Sequence, residues 1–222
     1  MTFTAFTSRT QAGQLLAEQV AKFQFEQPVV LALPRGGVPV ALEVARVLKA
    51  PMDLLLVRKI GVPWQPELAA GAVVDGEHRD LAFNDEVMSM LGLKRDDIER
   101  AAAKEIAEID RRRKLYLKGR EPISVAGRTA IVVDDGIATG TTVKAALQAL
   151  KKRSPKRLVL AVPVAPSDTI DELGAYVDDI ICLQQPYPFM AIGVFYRDFH
   201  QVGDDEVIEM LAAADGSGQA GA

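Results

Sequence analysis

Along this 222-residue chain, short apolar runs alternate with stretches whose apolar positions recur every three or four residues. The runs at 28–33, 52–57, 69–74, 129–133, 157–164 and 177–183 are too short for helices and rich in β-branched residues, so they predict strands. Between them the spacing predicts helices. Thr7 or Ser8 can cap a first helix with the apolar face Ala12, Leu15, Leu16 and Val20. A second spans 38–48. From Asn84 the pattern is helical, and 94–117 reads as one long helix with the stripe Ile98, Ala102, Ile106 and Ile109. Val143, Ala146, Leu147 and Leu150 open another, and 167–174 a short one. Near-continuous apolar strands alternating with helices imply an α/β fold with a parallel sheet and right-handed crossovers. Gly61, Pro63 and Pro66 interrupt residues 60–68, which predicts an irregular loop containing the single tryptophan, Trp64.

Composition changes this picture little. The chain is 49% hydrophobic and 25% charged with a net charge of −4, as expected of one globular domain; nothing points to nucleic acid or an anionic membrane. There is no 18-residue apolar run and no signal-peptide core, so the cytoplasm is the default expectation. Cys182 is the one cysteine, lies in a predicted strand and cannot form an internal disulfide. The basic run 111–114 sits where cations complement a helix C-terminus. Residues 213–222 are small and polar and predict a disordered tail.

Candidate chemistry concentrates in 129–142. A buried strand ends in two carboxylates, Asp134 and Asp135, followed by the small-residue loop Gly136-Ile-Ala-Thr-Gly-Thr-Thr142 and a helical pattern that opens at Val143. A helix N-terminus offers unpaired N–H groups and partial positive charge, which suits phosphate. The hydroxyls of Thr139, Thr141 and Thr142 can donate to the same group. Carboxylates do not bind phosphate, but they accept hydrogen bonds from a vicinal diol. The stretch therefore suits a sugar 5-phosphate. It lacks the lysine of a Walker A loop and the spacing of G-x-G-x-x-G.

A second strand–turn–helix unit carries Arg35-Gly36-Gly37, where successive backbone N–H groups and an arginine fork suit a further anion. Arg58 and Lys59 follow the 52–57 strand and could neutralise a leaving anion. Five of the twelve Phe and Tyr residues fall between Tyr187 and Phe199. No CxxC, HExxH or G-x-S-x-G occurs, and the two histidines are isolated.

The apolar strand, acidic pair and Thr-Gly-x-Thr loop closely resemble the 5-phosphoribosyl-1-pyrophosphate (PRPP) motif of type I phosphoribosyltransferases. With Leu33-Pro-Arg-Gly-Gly37 and Val57-Arg-Lys59, the whole chain looks most like uncharacterised members of that family. The resemblance implies a single domain over 1–212. Its parallel sheet core would span about 27–183, with a helical insertion at about 84–118 and a small hood from 184–212 together with N-terminal residues. It implies that the ribose hydroxyls of Mg·PRPP meet Asp134 and Asp135, the 5-phosphate meets Ala138, Thr139, Gly140, Thr141 and Thr142, and the pyrophosphate meets Arg35, Gly36, Gly37 and Lys59, with Arg58 beside them. Mg2+ would arrive on the pyrophosphate, with Asp134 and Asp135 the only direct ligands on offer. Residues 60–68 would be a lid that excludes water. The partners implied are PRPP, an unspecified nitrogen acceptor and a second subunit in a homodimer. Ala138 stands where hypoxanthine–guanine enzymes place an aspartate, which argues against a 6-oxopurine acceptor. The alternative is a non-catalytic PRPP- or nucleotide-binding regulator; no helix-turn-helix precedes the core and the chain is acidic, which favours the enzyme.

Overall fold

The computed structural model describes residues 4–62, 64–76 and 79–218. In chain order its strands are β1 Pro28–Ala32, β2 Met52–Leu54, β3 Val57–Val62, β4 Gln65–Val74, β5 Asp80–Phe83, β6 Thr129–Val133, β7 Arg157–Val164 and β8 Asp179–Gln184. Its α-helices are α1 Arg9–Val20, α2 Gly37–Leu48, α3 Asp85–Leu91, α4 Arg95–Leu117, α5 Thr141–Lys152, α6 Ser167–Leu173 and α7 Asp204–Gly218.

Five parallel strands form the main sheet in the order β2-β1-β6-β7-β8. Alternate residues feed the two faces, as the pleat requires. Val30, Ala32, Ile131, Val133, Val159 and Ala161 pack with α1 and α2. Val29, Leu31, Ala130, Val132, Leu158 and Leu160 pack with α5. β1 and β6 lie side by side, Pro28 opposite Thr129 through Ala32 opposite Val133. Strand order reverses between them, because β2 continues on one side of β1 and β7 on the far side of β6. Open α/β sheets bind ligands at such a reversal, beyond the strands' C-terminal ends.

Three expectations need correction here. The 52–57 run is not one strand. β2 ends at Leu54, and the fully buried Leu55 and Leu56 carry the chain into β3 of a separate antiparallel sheet, β3-β4-β5. Residues 60–68 are therefore not an irregular loop. They lie largely in the β3–β4 hairpin, because Ile60 and Val62 are buried and the sheet absorbs Gly61 as a shift of register. Pro66 falls near the start of β4, where a missing N–H is tolerated, Trp64 is exposed, and Pro63 lies outside the described residues. The third concerns the tail. α7 runs on to Gly218, with three acids in its first turn, Val207 and Leu211 buried one turn apart, and helix-forming alanines at 212–214. Residues 219–222 lie outside the described ones.

Residues 84–118, expected as a helical insertion, hold α3 and α4. Ser8, not Thr7, caps α1: its hydroxyl accepts from the Gln11 N–H at 3.3 Å. Ala12, Leu16 and Val20 are buried as expected, but Leu15 is exposed. α4 packs along β3 and β4 of the second sheet and touches α7.

Candidate active site

Parallel pairing of β1 with β6 sets their following turns against each other. The contact is tight. A Cβ on Gly36 would lie 2.1 Å from Asp135 Oδ2, and one on Gly37 would lie 2.8 Å from the Val133 carbonyl oxygen and 3.0 Å from the Asp134 Cα. Only glycine lets the two backbones approach this closely. The Pro34–Arg35 peptide in this turn is cis.

The two acids have different surroundings. Asp135 is buried and its Oδ2 accepts from Arg9 Nε at 2.7 Å. Arg9 also donates to the His200 carbonyl at 2.8 Å, and its guanidinium lies 3.9 Å from the Phe199 ring centre. The Tyr196 hydroxyl donates to the Asp135 carbonyl at 2.5 Å. Asp134 accepts the Asp135 N–H at 2.8 Å. Its carboxyl is enclosed although the residue retains some surface. Burial first, and then the charge of Asp135, raises the Asp134 pKa well above the ordinary carboxylate range.

Beyond the acids, Gly140 takes φ 70° and forms the N-cap of α5. That is a left-handed conformation which favours glycine. Ala138 and Thr139 are exposed. Thr169 donates to the Ala138 carbonyl at 3.0 Å, fixing the loop from α6.

A cavity of about 150 Å³ lies between these loops and α4. Its polar rim is Arg58, Arg112, Asp134 and Thr142, beside Pro34. Arg58 and Thr142 also line a cleft of about 550 Å³ that adds Lys59, Lys104 and Glu105. Lys59 also borders a third cleft, of about 400 Å³, reaching Thr139 and Thr141. Of the expected site residues, Arg58, Lys59, Asp134, Thr139, Thr141 and Thr142 border these openings, while Arg35, Gly36, Gly37, Asp135, Ala138 and Gly140 do not line them. Arg58 and Lys59 belong to β3 of the second sheet, not to the end of β2, and Arg58 donates through Nε to Glu105 of α4 at 2.8 Å. Arg35 turns its guanidinium toward Asp204 of α7 at 3.3 Å, where Tyr116 also donates at 2.6 Å. Burial, then the bond to Asp204, pushes the Tyr116 phenol up to about 12.

Sequence reasoning missed Arg9, Arg112 and Tyr196. Arg9 stands 126 residues from its partner Asp135, and no local pattern links them. Arg112 lay within a basic run explained by the helix dipole. Tyr196 was one aromatic among several. Where the hood was expected, Phe6, Phe195 and Tyr196 are buried together, and Ile192 lies so close to Gly136 that a Cβ there would meet it at 2.7 Å.

Comparison with known proteins narrows the meaning of this arrangement. The model of the phosphoribosyl transferase domain matches residues 8–197. The chain belongs to this phosphoribosyl transferase family. Two Mycobacterium tuberculosis proteins, from strains CDC 1551 and H37Rv, each carrying the name "Putative phosphoribosyl transferase", are 45% identical to it over 209 residues. Those residues are 94% of this chain, which spans about half the length, 47%, of those relatives. The crystal structure of the protein TT1426 from Thermus thermophilus superposes with a TM-score of 0.84 at 40% identity, covering 95% of this chain and 99% of that one.

Proposed function

We propose that this chain transfers the 5-phosphoribosyl group of PRPP to a nitrogen acceptor and releases pyrophosphate. The observation that carries the reading is the contact of Gly36 and Gly37 with Asp135 and Asp134. It sets the turn read as anion-binding against the carboxylates read as diol acceptors, and Arg58, Asp134 and Thr142 line one small cavity. A phosphorylated sugar bearing a second anionic group needs that combination.

In this reading the threonine loop and the N-terminus of α5 hold the 5-phosphate. Asp134 and Asp135 accept from the ribose hydroxyls. Arg58, Lys59 and the Arg35-Gly36-Gly37 turn face the pyrophosphate. The acceptor nitrogen bonds to the anomeric carbon while the bond to the pyrophosphate oxygen breaks, and that electron pair leaves with the pyrophosphate. Positive charge grows on the ribose ring and negative charge on the leaving group. The protein's work is positioning and electrostatic stabilisation.

Among the described residues no group of three or more His, Cys, Asp and Glu is placed to hold a metal ion. Asp135 has one oxygen on Arg9, leaving Asp134 as the nearby hard oxygen donor. That donor set fits a Mg2+ that keeps its waters and ligand phosphates, and Asp134 would be the residue to touch it. Bound there, Mg2+ would neutralise pyrophosphate charge. Among the described residues no helix is long and apolar enough to cross a membrane.

The test is a calorimetric titration of Mg·PRPP into the protein, with ribose 5-phosphate as control. Saturable PRPP binding, weaker for ribose 5-phosphate, is the expected result. No heat and no thermal shift with either ligand would overturn the reading.

A further inference from the structure

We propose that Arg112, on the inserted helix α4, is a pyrophosphate-binding residue of this site, held ready by Glu108. The inference rests on the PRPP reading above and adds to it a residue outside the expected loops.

Four observations support it. Arg112 lines the cavity that Pro34, Arg58, Asp134 and Thr142 also line, so a ligand between the two loops meets it directly. Second, it makes its ion pair side-on: Nε donates to Glu108 Oε1 at 2.7 Å. Among the described residues neither terminal nitrogen of Arg112 makes a hydrogen bond. Arg58, across the same cavity, is held in the same way, by Nε alone on Glu105. Other arginines of the fold make different use of their terminal nitrogens. Arg157 grips Asp179 with Nε and Nη2, and Arg113 reaches Asp75 through Nη1. Two tethered arginines with unused forks suit an anion with several oxygens, since the guanidinium fork matches phosphate geometry.

Third, Glu108 does not depend on Arg112. Arg111 donates to both of its oxygens, at 2.8 and 3.0 Å. Its arginine partners, Arg111 first, hold the Glu108 carboxyl down at about 2, so it stays ionised. Arg112 can swing to a ligand without orphaning that carboxylate. Fourth, the remaining neighbours leave an anion welcome. Asp204 is already bonded to Arg35 and Tyr116. A polyanion entering the cavity therefore meets Arg112 and Arg58, with Asp134 as the one carboxyl on the wall.

The experiment compares wild-type protein with Arg112→Gln, Arg112→Lys and a control on the same helix, Arg100→Gln, whose partner Asp97 lies on the exposed face. Each is titrated with Mg·PRPP, inorganic pyrophosphate and ribose 5-phosphate, after circular dichroism confirms the helix content. Arg112→Gln is expected to weaken PRPP and pyrophosphate binding about tenfold or more, the scale of losing hydrogen bonds to a charged group. Ribose 5-phosphate should bind as to wild type. Arg112→Lys, which keeps charge but not the fork, should recover only part of the loss, and Arg100→Gln should match wild type. Unchanged pyrophosphate and PRPP affinity in Arg112→Gln, or an equal loss for ribose 5-phosphate, would overturn the assignment while the PRPP reading stands. Absence of PRPP binding by wild-type protein would overturn both.

Discussion

Gly36 and Asp135 stand so close that a single added carbon on Gly36 would lie 2.1 Å from the carboxylate. Gly36 itself has φ −61°, a right-handed conformation open to any residue. The demand for glycine is therefore one of space between two loops, not of backbone freedom. Gly36→Ala should displace Asp135 and weaken Mg·PRPP binding about tenfold or more, with a stability loss of about 1–3 kcal/mol from overpacking. Gly174→Ala, at a site with nothing within 4 Å, serves as control. Equal affinity for both variants in a titration would show that the loops do not act as one site.

Arg9 holds the other side of Asp135. The pair is nearly buried, with side chains 9% and 11% exposed. Removing one partner of such a pair strands a charge, at about 3–5 kcal/mol. Arg9→Ala should lower the free energy of unfolding in urea by about that amount, and adding Asp135→Asn should restore part of it. A loss below about 1 kcal/mol would mean that water reaches the pair.

Asp134 carries a pH signature. Its pKa is raised in the fold, so over the range between the unfolded value, 3.8, and the folded one the native state binds the additional proton. Stability contributed by this group is then lost as pH rises above the unfolded value. Asp134→Asn keeps an oxygen for the Asp135 N–H and removes that penalty. The variant should melt higher than wild type at about pH 7.5, by about 2–4 °C for each kcal/mol recovered, and show a much smaller gain near about pH 4. A lower melting temperature at the higher pH would contradict this environment. The trade of stability for a buried acid is the pattern expected of a binding site.

The sequence made the sheet and its two loops readable because parallel strands buried on both faces leave long apolar runs with sharp ends. β6 and β7 fall on the residues predicted, Thr129–Val133 and Arg157–Val164. What escaped was set by distant contact. The β3–β4 hairpin hides behind Gly61, Pro63 and Pro66, residues read as breakers, yet burial of Ile60 and Val62 outweighs them. The helix α7 extends into a tail whose small residues suggested disorder, because Val207 and Leu211 anchor it against the core. Asp134 and Asp135 were legible as a pair. Their unequal surroundings were not, since Arg9 and Tyr196 arrive from opposite ends of the chain.

His200 offers a local check on the hood. Its ring nitrogens face Asp198 Oδ1 and Glu206 Oε1, each at 3.0 Å. The hydrogen bond to Asp198 first, and then that to Glu206, raises its pKa above 6.5. An NMR titration should show this imidazole charging above that value in the wild type and moving back down in Asp198→Asn. No movement in the variant would mean that the ring does not sit between these acids. Because the ring is exposed, the effect belongs to the titration curve and not to global stability.

The central claim is that the acidic pair and the glycine turn together bind PRPP, and calorimetry of wild-type protein beside Asp134→Asn/Asp135→Asn tests it most directly. Saturable Mg·PRPP binding by the wild type, abolished in a double variant whose circular dichroism is unchanged, is the predicted result. Equal PRPP affinity in the two proteins would contradict the account.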